Sequence, residues 1–152
     1  MKVVVVSDSH GKIEVLSQIL DAHPDAHVYL HSGDIELPPD YFPQYITVLG
    51  NNDYYEEYAM ERVVPVGDIK VLITHGHQYL MFSRIEQLRK KASRLGCKIA
   101  IFGHTHSFHH THEDGIHIVN PGSCAFPRDG TPPSYAVIEI ENENIVVTRI
   151  NL

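Results

Sequence analysis

The sequence is poor in several features that would assign it to a familiar class. Two of its 152 residues are cysteines, Cys97 and Cys124, and two thiols make no disulfide framework. No apolar run approaches the ~20 residues of a membrane-spanning helix. The apolar start, Met1–Val6, is too short for a signal peptide and leads directly into polar residues. We therefore expect a cytoplasmic protein with no membrane partner, in which both cysteines are inert packing thiols.

Positive charge is also scarce. Lysine and arginine number 12 against 19 acidic residues, which gives a net charge of -7 and argues against strong nucleic-acid binding. The one basic run, Arg89–Lys91, lies in a helical pattern and is expected to form a solvated face. No phosphate-binding loop of the GxxxxGK[ST] type is present.

Hydrophobic residues make up 43% of the chain, which is enough for one globular domain over residues 1–152. Their periodicity predicts two helices, near residues 13–22 and 82–95, the second ended by Gly96. It also predicts ten strands, at residues 2–7, 26–30, 45–49, 62–66, 69–74, 98–102, 107–111, 116–119, 135–140 and 145–150. The first half alternates strand and helix, and the rest is mostly hairpins. We expect an α/β fold, a two-sheet β-sandwich flanked by helices.

Histidine is abundant, at 12 residues, and several histidines follow strand ends together with acidic or amide residues. The pattern begins with Asp8-x-His10 and recurs as Gly33-Asp34, Gly50-Asn51-x-Asp53, His75-Gly76-His77 and Gly103-His104-x-His106. Each segment has an ordinary explanation as a turn, a helix cap or a polar strand edge. Together they favour a metal site on one rim, with oxygen and imidazole ligands and no thiolate, a set that suits Mn, Fe, Zn, Co or Ni.

This ordered series resembles the calcineurin-like metallophosphoesterases, and its spacings resemble the small prokaryotic phosphodiesterase branch. The resemblance covers the whole chain and includes Asn120-Pro121-Gly122-Ser123. It implies a four-layer αββα fold and two divalent ions, with Mn the first expectation. One ion would be held by Asp8, His10 and His106, the other by Asn51, His75 and His104, and Asp34 would bridge them. The implied activity is hydrolysis of P–O bonds, in diesters rather than monoesters, by a metal-bridging hydroxide.

The sequence departs from the wider family at Asn52, where many members have a histidine that acts as an acid or contacts phosphate. An amide cannot give up a proton at neutral pH, although it can hydrogen-bond a phosphate oxygen. We take Asn52, Asp53 and His77 as candidate catalytic residues. Protonation of the leaving group would then fall to water or to another side chain, for which His77 is the candidate, and Asp53 would orient its neighbours. Arg128 is a further candidate phosphate contact.

Other interpretations stay open. Cupins also use paired histidines but are all-β, and metallo-β-lactamase hydrolases need HxHxDH, whereas Ser107 and Phe108 follow His106. A non-catalytic protein-interaction scaffold is the main alternative, because one retromer subunit resembles this fold. The substrate is expected to be a small phosphodiester or nucleotide-like molecule, and the chain a homodimer. His31 is expected to support the ligands, and His23 and His27 to lie at the surface. The remaining histidines, His109, His110, His112 and His117, are expected to be exposed polar residues of a hairpin.

Overall fold

The computed structural model describes residues 1–54 and 57–152, and ten strands and two helices lie within these residues. The helices are α1 (Ile13–Ala22) and α2 (Arg84–Leu95). The strands are β1 (Lys2–Val6), β2 (Val28–His31), β3 (Tyr45–Thr47), β4 (Glu61–Val66), β5 (Ile69–Thr74), β6 (Ile99–Ile101), β7 (Phe108–Glu113), β8 (Ile116–Pro121), β9 (Ser134–Glu141) and β10 (Asn144–Asn151). Every predicted element is found, with each end within two residues of its predicted position.

The strands form two mixed sheets of five. The first has the order β10-β9-β1-β2-β3, and the second has the order β4-β5-β6-β8-β7. In the first sheet β1, β2 and β3 are parallel, and in the second β5, β6 and β8 are parallel. The remaining strands join as antiparallel hairpins or edges.

The two sheets pack face to face, and one helix covers the outer face of each. Strand β1 shows why its apolar run is continuous: Val3 and Val5 belong to the core between the sheets, while Val4 and Val6 pack with Leu16 and Ile19 of α1. On the other side, Leu88 and Ala92 of α2 pack against the second sheet. The four-layer αββα sandwich expected from the sequence is confirmed.

Two smaller expectations are also settled. The thiols of Cys97 and Cys124 are free and buried, and burial raises the pKa of Cys124 to about 12. The prediction that all the hairpin histidines are exposed is wrong for His117, whose exposed fraction is 6%, and His109 is half-buried against Phe102. The register of His117 on β8 points the ring inward beside the core residue Val119. Within the described ranges 1–54 and 57–152, neither helix is long and apolar enough to cross a membrane.

The parallel strands place the polar segments at one end of the sandwich. The carboxyl ends of β1, β2 and β3 precede the segments that begin at Ser7, Ser32 and Val48, and those of β5 and β6 precede His75 and Phe102. Because carboxyl ends of parallel strands share an edge, these loops meet on a single rim.

Helix α2 ends as the sequence predicts, at Gly96 in the left-handed conformation (φ 72°), with its N–H bonded to Ala92 O and Ser93 O. No atom would lie within 4 Å of an added Cβ, so the cost of a side chain here is a backbone cost. We expect Gly96→Ala to lower the free energy of unfolding by about 1 kcal/mol and Gly96→Asn to lower it less, since Asn tolerates this conformation. Urea denaturation measures both. Equal loss in the two variants would contradict the backbone explanation.

Candidate metal centre

Three loops of the rim share an unusual backbone pattern. Asp8 and His10, Asp34 and Glu36, and His104 and His106 all have φ between 46° and 68°, in pairs two residues apart. Such values are uncommon outside glycine and cost roughly 1–3 kcal/mol each when bulky side chains adopt them. In each loop, the left-handed backbone therefore directs the two side chains in a way that neither a strand nor a right-handed helix allows.

The first group of ligand-type atoms lies on loops 8–10, 34–36 and 104–106. One ligand atom from each of Asp8, His10, Asp34 and His106 lies within 4.8 Å of the others. His106 Nε2 is 3.2 Å from Asp8 Oδ1 and 3.2 Å from His10 Nε2. An ion bound about 2.1 Å from each ligand separates adjacent ligand atoms by roughly 3 Å, so these separations suit a divalent transition ion.

The second group adjoins the first. Asn51 Oδ1 lies 3.0 Å from His75 Nε2 and 3.1 Å from His104 Nδ1. Asp34 Oδ2 lies 3.4 Å from His75 Nε2 and 3.9 Å from His10 Nε2, so this carboxylate is between the two groups. The structure therefore brings together all seven residues expected to be ligands, with Asp34 in the central position.

In three of the four histidines, a neighbouring group fixes which ring nitrogen faces inward. Nδ1 of His75 is bonded to Ser32 O at 2.7 Å, Nδ1 of His106 to Phe126 O at 2.6 Å, and Nδ1 of His10 to Glu36 Oε1 at 2.8 Å. These contacts leave Nε2 free to bind an ion, which is the arrangement that metal-ligating histidines normally have.

The electrostatics indicate that the site suits cations. Asp8 is fully buried, and its Oδ1 has no hydrogen-bond partner among the described residues, although His106 Nε2 is close. Burial opposes ionisation of Asp8 and Asp34, but the neighbouring imidazoles outweigh it and hold the pKa of both carboxyls below the usual value. Burial likewise lowers the pKa of His75 and His106, but the same carboxylates raise it overall. An orphaned buried carboxylate oxygen amid imidazoles fits a metal ion.

The comparisons with known proteins decide the family. A model of the calcineurin-like phosphoesterase superfamily domain matches residues 1–143. The chain belongs to the calcineurin-like phosphoesterase superfamily. The probable metallophosphoesterase YsnB of Bacillus subtilis is 33% identical over 150 residues, which cover 97% of this chain and 89% of that protein.

Solved structures agree on the fold of this phosphoesterase family. A Streptococcus pneumoniae protein described as a predicted phosphoesterase superposes with a TM-score of 0.92 and 30% identity, covering 99% of this chain and 88% of that one. An archaeal phosphodiesterase superposes at 0.76 with 21% identity (99% and 100% covered). Vps29 of Entamoeba histolytica, solved with zinc, superposes at 0.73 with 22% identity (99% and 98% covered). The last two likenesses concern the fold alone.

Two of the candidate catalytic residues of this phosphoesterase lie against Asp34. Asn52 donates its backbone N–H to Asp34 Oδ1 (2.8 Å) and its side-chain amide to Oδ2 (2.9 Å). Asp53 is buried, and its carboxylate accepts the backbone N–H groups of Gly50, Asp34 and Glu36 at 2.7–2.9 Å. Its hydrogen bonds thus connect Asp53 to the backbones of the two loops that carry Asp34 and Asn51.

The other two candidates lie at opposite sides of the centre. The ring of His77 is 5.4 Å from that of His75 and 6.2 Å from that of His104, and burial lowers its pKa. Its Nδ1 is buried without a hydrogen-bond partner in the part of the chain that the structure describes. Arg128 is exposed and borders an open cavity of about 490 Å³ together with His10, His106 and Phe126.

Sequence reasoning missed Glu36, which contacts His10 directly. The signal was present: Asp34-x-Glu36 has the same spacing as Asp8-x-His10 and His104-x-His106, and the same left-handed pair. Ser123 also has a role that its motif did not reveal, because its hydroxyl donates to Asp8 O at 2.8 Å and accepts the N–H of Ala125 and Phe126. It thereby connects the loops of the two sheets.

The His10–Glu36 contact generates a prediction. In Glu36→Gln an amide replaces the carboxylate at His10 Nδ1, so the ring is held less firmly and is less basic as a ligand. We expect Mn²⁺ affinity to fall by roughly 10–100-fold, the usual effect of losing such a partner. Isothermal titration calorimetry measures it. Glu14→Gln, an exposed change in α1, is the matched control. If Glu36→Gln binds Mn²⁺ as tightly as wild type, Glu36 does not support His10 as a metal ligand.

Proposed function

We propose that this protein is a phosphodiesterase that works with two divalent ions. The observation that carries the proposal is the position of Asp34 Oδ2, between His10 on one side and His75 on the other. A carboxylate that faces two separate groups of nitrogen and oxygen ligands is suited to bridge two ions. Asp8, His10 and His106 would complete one site, and Asn51, His75 and His104 the other.

The chain's own contribution is orientation and charge. Asn52 holds both oxygens of Asp34, and Asp53 holds the backbone of Asp34 and Glu36, so the bridging group is fixed before substrate arrives. Two bound ions would supply a strongly acidic water and would neutralise the attacked phosphoryl group. With charges of +4 from the ions and -2 from Asp8 and Asp34, the site attracts a phosphate ester, although the chain carries -7 overall.

The surroundings favour a diester. A diester has two organic substituents on phosphorus. The cavity beside His10 and His106 is open to solvent, which leaves space for the second substituent. Arg128 lines this cavity, and the ammonium of Lys12 lies nearby, 4.5 Å from the centre of the Phe126 ring, which also lines it. Such a shallow, lightly charged rim suits a monoanionic ester better than a dianionic monoester. A small or nucleotide-like diester is the proposed substrate class.

Hydrolysis of bis(4-nitrophenyl) phosphate tests the proposal. With Mn²⁺ we expect turnover, and a kcat/KM higher than for 4-nitrophenyl phosphate. Asp34→Asn keeps the size of the side chain but loses the bridging charge. Its activity should fall by more than about 100-fold, because removing even a residue that only hydrogen-bonds a metal ligand costs up to that much. Asp68→Asn, an exposed change at the β4–β5 turn, should retain activity. Full activity in Asp34→Asn, or none in wild type with any of Mn, Zn, Co, Fe and Ni, would refute the proposal.

The identity of residue 52 determines which leaving groups the site tolerates. Because the amide of Asn52 cannot donate a proton to the departing oxygen, phenolates of low pKa should leave far faster than alkoxides. We expect Asn52→His to narrow the rate ratio between bis(4-nitrophenyl) phosphate and diphenyl phosphate by about tenfold or more, since general acid catalysis contributes roughly 10²–10⁴-fold. Asn52→Gln controls for the lost contact with Asp34. An unchanged ratio in Asn52→His would show that an acid at this position has no effect.

A second candidate function is a protein-interaction scaffold. The likeness to Vps29 favours it, as do the exposed apolar side chains of Leu80, Met81 and Phe82, whose exposed fractions are 75%, 69% and 97%. They follow His77 on the loop that leads to α2. The hydrolysis assay separates the two functions, because a scaffold needs no turnover and tolerates Asp34→Asn.

A further inference from the structure

The histidines of the β7–β8 hairpin form a cluster far from the centre described above. His112 and His117 are directly paired across the two strands, and His110 is opposite Val119, so the three histidines lie on one face of the hairpin. His117 is at the amino end of β8, and the catalytic loops lie beyond its carboxyl end. Four residues of strand, roughly 13 Å, separate His117 from Pro121 at that end.

The rings of His110 and His112 both contact that of His117. His110 Nε2 lies 3.0 Å from His117 Nδ1, with the ring planes 10° apart. The rings of His112 and His117 stack with centroids 3.8 Å apart and planes 11° apart. His110 and His112 are exposed, so their side chains can rotate, whereas His117 is buried.

This arrangement is costly for a purely structural cluster. Burial and the adjacent imidazoles lower the pKa of His110 and bring that of His117 to about 4, so both rings are neutral at physiological pH. Neutral rings retain a lone pair each, and a single hydrogen bond between His110 and His117 uses one of them. Neutral imidazole is the commonest metal ligand in proteins, so the His110 and His117 rings, with the His112 ring stacked on that of His117, have the composition of a metal site.

An ion can reach the cluster. His112 and His117 line a cleft of about 700 Å³ between the ends of the two sheets. Its charged lining residues are Lys70 and Lys98 against Asp68 and Glu143, so the lining is formally neutral and does not repel a cation.

We propose that His110 and His117, with His112 as a third ligand, form a separate transition-metal site at this end of the sandwich. The ligand set is imidazole alone, which selects Zn²⁺, Ni²⁺ or Cu²⁺ and does not hold Mn²⁺ or Mg²⁺, ions that prefer oxygen ligands. His110 Nε2 and His117 Nδ1 already lie 3.0 Å apart, so both could bind one ion once the rings tilt. The exposed His112 would rotate out of its stack on His117 to join them. The ion would connect the edge strand β7 to β8.

The difference in metal preference gives the test. Protein saturated with Mn²⁺ is dialysed against Zn²⁺, and the total number of metal ions per chain is measured by mass spectrometry. Zn²⁺ that replaces Mn²⁺ in the two-ion centre does not change this total, so any increase reports a further site. We expect wild type to gain one ion per chain on exposure to Zn²⁺, and the double variant His110→Ala/His112→Ala, which alters only exposed side chains, to gain none. His109→Gln, on the opposite face of β7, is the matched control and should gain one ion.

Three measurements complete the design. Circular dichroism checks that the double variant is folded, and equal Mn²⁺ content before dialysis checks that its catalytic centre is intact. The Cu²⁺ form of wild type should show the superhyperfine pattern of two or three additional nitrogen ligands by electron paramagnetic resonance, absent from the double variant. No gain of zinc in wild type, or an equal gain in the double variant, would overturn the proposal.

Discussion

The structure depends on the buried carboxylate of Asp34. Burying a charged oxygen without compensation is expensive, and here it is surrounded by His10, His75 and the amide of Asn52. Without a metal ion, the imidazoles supply this compensation. Burial lowers the pKa of His75, but the nearby carboxylates of Asp34 and Asp8 raise it by more, so the pKa is raised overall. Divalent cations can replace that weak, proton-dependent compensation with a strong one. Metal affinity and loop stability are therefore coupled in this centre.

The strained loops are held by backbone pairing that continues beyond the strands. Asp8 and His10 donate their N–H groups to Gly33 O and Asp34 O, so loop 8–10 and loop 34–36 stay paired after β1 and β2 have ended. The Asp53 carboxylate then fixes the second loop from the other side. Gly50 is required at this point, because a Cβ would collide with the Asp34 backbone. These bonds offset the cost of left-handed conformations at non-glycine residues and make the site rigid before any ligand binds.

These loops also explain what the sequence could and could not predict. Strand positions could be predicted from runs such as residues 2–7, because a strand buried on both faces has a continuous run of apolar residues. The rim followed from polar residues at successive strand ends, and five weak motifs in order indicated the family. Glu36 escaped notice because its left-handed conformation is held by a hydrogen bond from its backbone N–H to Asp53, 17 residues away, a contact that its spacing alone does not reveal. The inward position of His117 was missed because a histidine in a strand is compatible with either face until the register is known.

The cost of the centre bears on the choice between enzyme and scaffold. A chain that served only to bind a partner would be more stable with apolar residues in place of buried Asp8 and Asp34, since buried charges seldom stabilise a fold. It would also gain by relaxing the six left-handed residues of the rim. This chain has instead kept both carboxylates, four imidazoles and an amide oxygen directed at one small volume, with Asp8 Oδ1 lacking a hydrogen-bond partner among the described residues. Such an expensive arrangement is best explained by the ions that it would bind and by the chemistry that those ions permit.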